Sequence, residues 1–370
     1  MLNALLILIF CRPFISSLAF PILNSVFSSI FLVILFFFLS AKFKECPLKK
    51  NPYFYFLLYI FCFSFAISSL GAENKKLVIL ELYKYITGFL LLICGASLNT
   101  KEKDKLIQTL FLSAIVISLA GIYQFSFGFR HLTNYIAQKE ISNDFIIDFV
   151  SRKRIFFPFA TPNMLAGFLA PIILLEANSI KKLGVIIILI ALFLTQSLAG
   201  LLSLIVGVLV YLYFSVEKKH KSWIYIFILI IGLTSLFLIR YSSSKEHLRP
   251  DFSGLMRLNY WRQTINVIKD HPFFGVGAGN LNLYRARFTH NSYLQIWVEL
   301  GVGAVISFAG LIWLGLKKVK IRIFREERQA KAILSASTVF LFHNLFDSTF
   351  FFPETNFLWW LLWGMLLGMN

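Results

Sequence analysis

Charge is scarce in this chain. Only 15% of its 370 residues are Asp, Glu, Lys or Arg, against about 25% in an ordinary soluble domain. Acidic residues are the scarcer kind, 18 against 36 Lys and Arg, so the formal net charge is +18. Cysteine is scarce too. Cys11, Cys46, Cys62 and Cys94 all fall in the first quarter and make no Cys-x-x-Cys pair, which excludes a disulfide framework and a zinc ribbon. What abounds is apolar: 58% of residues are hydrophobic and the mean hydropathy is +0.74, where a soluble domain has about 45–50% apolar residues. No separate soluble domain of ~100 residues can be fitted between the apolar runs. A basic surplus can signal nucleic acid. In a chain this apolar it reads as cytoplasmic loops loaded with Lys and Arg, and no nucleic-acid partner is expected.

The composition therefore predicts an all-α, polytopic membrane protein that forms a single membrane domain over residues 1–370. By the ~20-residue span criterion, about twelve apolar stretches stand between charged or turn-rich breaks: 2–20, 22–41, 53–71, 77–98, 106–127, 161–177, 183–198, 200–216, 222–240, 290–316, 332–347 and 356–369. The first holds Arg12 and Pro13. It is kept as a span because it lacks the basic leader and small-residue cleavage site of a signal peptide. With the N-terminus inside, the inner loops carry 19 Lys and Arg, whereas the short outer loops carry only Lys75 and Lys76. That asymmetry predicts that both termini are cytoplasmic.

Two longer segments, 128–160 and 241–289, fall outside. One holds Arg130, Lys139, Arg152, Lys153 and Arg154; the other holds Lys245, Arg249, Arg257, Arg262, Lys269, Arg285 and Arg287, with Arg240 at its membrane edge. Long loops are exempt from the charge rule, so orientation does not explain these cations. An anionic ligand would, and so would contact with membrane lipid phosphates.

Within the second segment, Leu258, Trp261, Ile265 and Ile268 recur at helical spacing, which predicts an amphipathic helix that His271-Pro272 ends. The run FFGVGAGN follows, with Gly275, Gly277 and Gly279 alternating. No strand precedes it, so it is read as a tight turn and not as a nucleotide loop. His290 and Asn291 then stand where a helix begins, and Glu299 lies nine residues further on, about 13–14 Å deeper at 1.5 Å per residue. Glu299 reads as a structural partner for Arg12 or Lys84, or as a functional group.

The string RLNYW (257–261), the turn IKDHPFFGVGAGN (268–280) and HNSYLQIWVELGVG (290–303) together resemble the O-antigen ligase and O-antigen polymerase superfamily of bacterial envelope glycosyltransferases. FPFATPNMLAGFL (157–169) and HNLFDSTFFFPE (343–354) are similar to further segments of that family. The likeness covers residues 151–370, while residues 1–150, the N-terminal transmembrane helices, agree only in hydropathy. One departure stands out: TQSLAG (195–200) has Leu198 where many members carry an arginine.

The resemblance implies a GT-C-like fold and a periplasmic loop at 241–289 that carries short helices. It also implies transfer of a glycan from a polyprenyl-diphosphate carrier to an acceptor hydroxyl, on lipid A-core in a ligase or on a growing glycan in a polymerase. Attachment to protein and lipid-linked glycan transport are the remaining readings. On this resemblance His290 is the proton acceptor and Arg257 the diphosphate clamp. Arg154, Arg152, Arg240 and Arg262 supply further positive charge, with Arg154 first as substitute at the Leu198 position. Asn291, Gly275, Gly277 and Ser197 support the site. No cofactor is expected, and no histidine–carboxylate cluster of metal spacing lies near the loop, so no metal is expected either.

Overall fold

A computed structural model describes residues 1–139, 144–175, 182–215, 219–241, 250–284, 289–324 and 328–369. Helices make up most of them, with no strand among the described residues. Five helices are long and apolar enough to cross a membrane: α2 (Pro21–Lys42), α3 (Pro52–Gly71), α4 (Lys75–Ser97), α5 (Thr100–Tyr123) and α14 (Val302–Phe324). These make the chain a helical membrane protein. Shorter apolar helices accompany them: α1 (Leu2–Cys11), α8 (Pro162–Leu175), α9 (Lys182–Leu194), α10 (Leu198–Tyr213) and part of α11 (Lys219–Tyr241). The remaining helices are α6 (Phe129–Gln138), α7 (Asp144–Ser151), α12 (Pro250–Asp270), α13 (Ser292–Leu300), α15 (Arg328–His343) and α16 (Pro353–Leu367).

The helix starts are written locally. Asn51 and Asn74 accept backbone N–H bonds at the heads of α3 and α4, and Asn99 makes a reciprocal capping box with Glu102 at the head of α5. Such caps satisfy amides that the helix itself leaves unpaired. Pro21, Pro52 and Pro353 occupy first helical positions, where a missing N–H costs nothing.

α8, α15 and α16 are buried along nearly their whole length and form the centre. α16 packs on α4 through Gly95 and Gly364; a side-chain carbon at either would strike the facing backbone, at Leu361 and Leu92 respectively. Small residues let membrane helices approach closely, because lipid offers no hydrophobic drive to hold them together. Trp360 packs on Gly88 and Phe89 of α4, while Trp359 and Trp363 face α14, at Phe308 and the Leu311 carbonyl.

Three expectations need correction. The stretch 2–20 is not one helix: α1 ends at Cys11 and a short turn carries Arg12. Arg12 is buried against Glu354 at 3.6 Å, not against Glu299. The stretch 290–316 is likewise broken. Gly301, at φ +79°, separates α13 from α14, and the carbonyl of Phe273 sits where a side chain would be. Glu299 therefore stands at the end of a short helix ahead of α14. Finally, α5 does not stop at a loop. It continues through a wide turn (Gln124–Gly128) into α6, so much of 128–160 is helical.

Candidate active site

At the end of the bundle where α10 begins and α11 and α15 finish, four arginines converge. Arg154 follows α7 and is almost wholly buried. Its Nε donates to the Thr195 carbonyl at 3.0 Å, its Nη2 reaches Asn163 Oδ1 at 3.4 Å, and its guanidinium lies 5.3 Å from the Phe149 ring centre. Burial, together with the fields of Arg240, Arg152 and Arg257, pulls its pKa down to about 9, against the opposing pull of Asp148. Arg152 pairs with Asp148 at 3.1 Å. Its carbonyl accepts a bond from Gln196 Nε2 at 3.0 Å, which laces this segment to the turn ahead of α10. Gln124 steadies the same segment by accepting the amides of Phe156 and Phe157, each at 3.0 Å. The Arg240 Nε is buried with no hydrogen-bond partner. Each of these cations thus acts on the others, with Asp148 as the acidic group among them.

Arg257 sits on the face of α12 that packs inward with Trp261, Thr264 and Ile268. Its Nε donates to the Phe346 carbonyl and its Nη1 to Ser253 Oγ, both at 3.0 Å. It closes one end of a cavity of about 370 Å³ between α10 and α11, lined by Leu198, Leu202, Leu233, Phe237 and Phe346. Leu198, the departure noted in the sequence, is a wall of this apolar space.

His290 stands just before α13 in a left-handed conformation, φ +49°. Residues other than glycine adopt it at a cost that clusters at functional sites. Its ring is 5.7 Å from Tyr260 of α12, and its Nδ1 is 4.0 Å from Asp347 Oδ1. Desolvation is the main cause of a lowered His290 pKa; Arg257 adds to it and Asp347 opposes it. Asp347 itself is buried, which works against its charge. His290, His343 and Arg257 outweigh that and hold its carboxyl below the usual range.

Asn344 ties the α13 end to the turn after α15. Its carbonyl accepts the Ser292 amide at 2.9 Å, and its side-chain oxygen accepts from Ser292 Oγ at 2.6 Å and from the Phe350 amide at 2.9 Å.

The residues expected from sequence are thus partly gathered. Arg152, Arg154, Arg240 and Arg257 act on one another, and Arg257 acts on His290. Arg262 does not join them: it is exposed, and five residues along a helix place it far round from Arg257. Asn291 and Ser197 are helix caps, of α13 and α10. Gly275 and Gly277, at φ +69° and +96°, let the turn lie flat on the end of α13, where Val276 and Gly277 donate to the carbonyls of Val298 and Glu299. Arg285 and Arg287 lie outside the described residues. Asp347, Asn344 and Tyr260 were not singled out from sequence; the only signal was that Asp347 and Asn344 lie in the string resembling a family segment, and Tyr260 in RLNYW.

Helices and cleft define a class of protein: a membrane protein that presents clustered arginines and a histidine beside an apolar cavity. Residues 183–309, about a third of the chain, match the family model described as O-antigen ligase. The matched segment contains Leu198, Arg240, Arg257 and His290; Arg152, Arg154 and Asp347 flank it. No curated protein matches the chain.

Proposed function

We propose that the protein is an O-antigen ligase-type glycosyltransferase of the bacterial inner membrane, with about twelve spans, both termini inside and the cleft on the periplasmic face. Its donor is a glycan on a polyprenyl diphosphate, and its acceptor is a hydroxyl of lipid A-core. The observation that carries this reading is the apolar cavity ending at Arg257, beside Arg154 and Arg240. It suits a ligand with a greasy tail and a multiply charged phosphate head.

The chemistry follows from those groups. The acceptor O–H gives its proton to the Nε2 of neutral His290 while its oxygen bonds to the anomeric carbon. The bond from that carbon to the diphosphate breaks, and its electron pair stays on the leaving oxygen. Positive charge fixed in advance at that oxygen lowers the barrier, and a guanidinium meets phosphate oxygens through a planar fork. Asp347, facing Nδ1, favours the tautomer with the proton there, which leaves Nε2 free to accept. The lowered His290 pKa keeps the ring in the form a base requires.

The test is glycan transfer by purified protein in nanodiscs supplied with the lipid-linked donor and lipid A-core. No transfer to this acceptor, with extension of carrier-linked chains instead, would convert the reading to a polymerase. Orientation has its own test. A cysteine placed at Ser243 should react with an impermeant reagent in whole cells after outer-membrane permeabilisation, and labelling only after lysis would reverse it.

A further inference from the structure

A second polar cluster lies away from the arginines, where α13 and the glycine turn meet α4. Glu299 is in the last turn of α13 and is 1% exposed. Its Oε1 accepts from Gln295 at 3.1 Å, and its Oε2 is buried with no hydrogen-bond partner. Glu81 of α4 pairs with Lys84 through Oε1, while its Oε2 is likewise buried and unpartnered. Gly279 packs on Glu81, and its amide also bonds to Glu299. Tyr85 of α4 is 6% exposed and packs its ring on Phe61 and Phe65 of α3. Its hydroxyl has no hydrogen-bond partner and lies in the field of both carboxyl groups. Three buried oxygens from two helices therefore lie unsatisfied within one another's electrostatic reach.

We propose that Glu81, Glu299 and the Tyr85 hydroxyl form a binding site for one monovalent cation, either a proton shared by the two carboxyls or a sodium ion in its place. The charge count sets the valence: two carboxylates against Lys84 leave one negative charge. Burial penalises that charge unless it is neutralised or paired, and a helix C-terminus adds its own negative end at Glu299. Hard oxygen ligands suit an alkali cation as well as a proton. The groups acting on Glu299 from its surroundings are Glu81 and Lys84 on α4 and the Gly279 amide, while α3 contributes the neutral Ser68 hydroxyl, which donates to the Glu299 carbonyl. Burial first, and Glu81 second, raise the Glu299 pKa from 4.5 to about 8. The folded chain thus keeps a proton that the unfolded chain releases, and stability falls as pH rises through that interval.

Thermal unfolding of the purified full-length protein in detergent tests this, read against pH in potassium chloride and in sodium chloride. It does not depend on the glycan-transfer reading. If the ligand is a proton, the melting temperature drops between pH 4.5 and about 8 in both salts, and Glu299→Gln flattens that drop. If it is sodium, the alkaline side is rescued by sodium and not by potassium, and Tyr85→Phe weakens the rescue. Glu81→Gln covers the case in which Glu299→Gln does not fold: removing the neighbouring carboxylate should move the drop to lower pH. Identical profiles for wild type and the Glu299 or Glu81 variant, in both salts, would overturn the proposal.

Discussion

Arg12 and Arg154 are almost equally buried, yet their surroundings are opposite. Arg12 has a counter-charge in Glu354 at 3.6 Å and bonds to Asn24 Oδ1 at 2.6 Å and the Ile15 carbonyl at 3.1 Å. Glu354 in turn accepts from the Ser17 amide and hydroxyl. Arg154 has a carbonyl, a distant amide oxygen and an aromatic face for company, and its nearest charges include three more arginines. A neutralised arginine holds helices together. Arg154 has Asp148 as its one acidic neighbour among these charges, and the proposed diphosphate would supply the balance that the other three arginines leave open. Burial alone would not have told the two apart.

The comparison breaks most readily through the group that shares the second environment. His290→Gln should fold and bind the lipid-linked donor but lose ~10²–10⁴-fold in transfer, the usual worth of a positioned base. Near-normal turnover would remove His290 from the chemistry.

Glu354→Gln attacks the paired arginine instead. It should destabilise the fold by ~3–5 kcal/mol, the cost of stranding a buried charge, and leave donor affinity per folded molecule unchanged. Thermal unfolding and donor binding, measured side by side, check both halves. A variant as stable as wild type would mean that Asn24 and the Ile15 carbonyl suffice for Arg12.

Arg257→Lys keeps the charge and loses the fork, so transfer should fall by ~10²-fold. Equal activity with lysine would make Arg257 a point charge facing lipid. Arg154→Ala should have the smaller consequence of weakening donor binding by ~10-fold, about 1.4 kcal/mol. Full activity and affinity would exclude it as the substitute at the Leu198 position.

The smallest effect is on pH. The acid limb of kcat/KM should lie below the 6.5 of an ordinary histidine, because protonating His290 removes the base. Asp347 raises that pKa, so Asp347→Asn should move the limb to still lower pH. A shift upward would contradict the geometry.

Features governed by neighbours along the chain were legible in the sequence. The helix α12, its end before Pro272 and the apolar helices follow from periodicity and from residues that cannot continue a helix. The expected stripe, however, does not form the inward face: Leu258 and Ile265 are exposed, and Arg257 and Thr264 stand beside Trp261 and Ile268 instead. A basic surplus beyond what orientation needs marked the two outer segments, and within them the family resemblance singled out Arg257 in RLNYW and Arg154 just ahead of FPFATPN. The pairing of Asp347 with His290, and of Glu354 with Arg12, was not legible, since nothing local links residues so far apart in sequence. Gly301 was visible but lay inside an apolar run. Only the packing of Phe273 against it decides that the helix breaks there.

The Arg12–Glu354 pair also sets an order of events during synthesis. Arg12 enters the membrane with α1, while its counter-charge is not made until α16. Until α16 is made, the guanidinium lacks that counter-charge. Asn24 and Ser28 of α2 are made soon after it and contact the same group. They can act as placeholders, solvating Arg12 until the closing helix arrives with Glu354 and packs on α4.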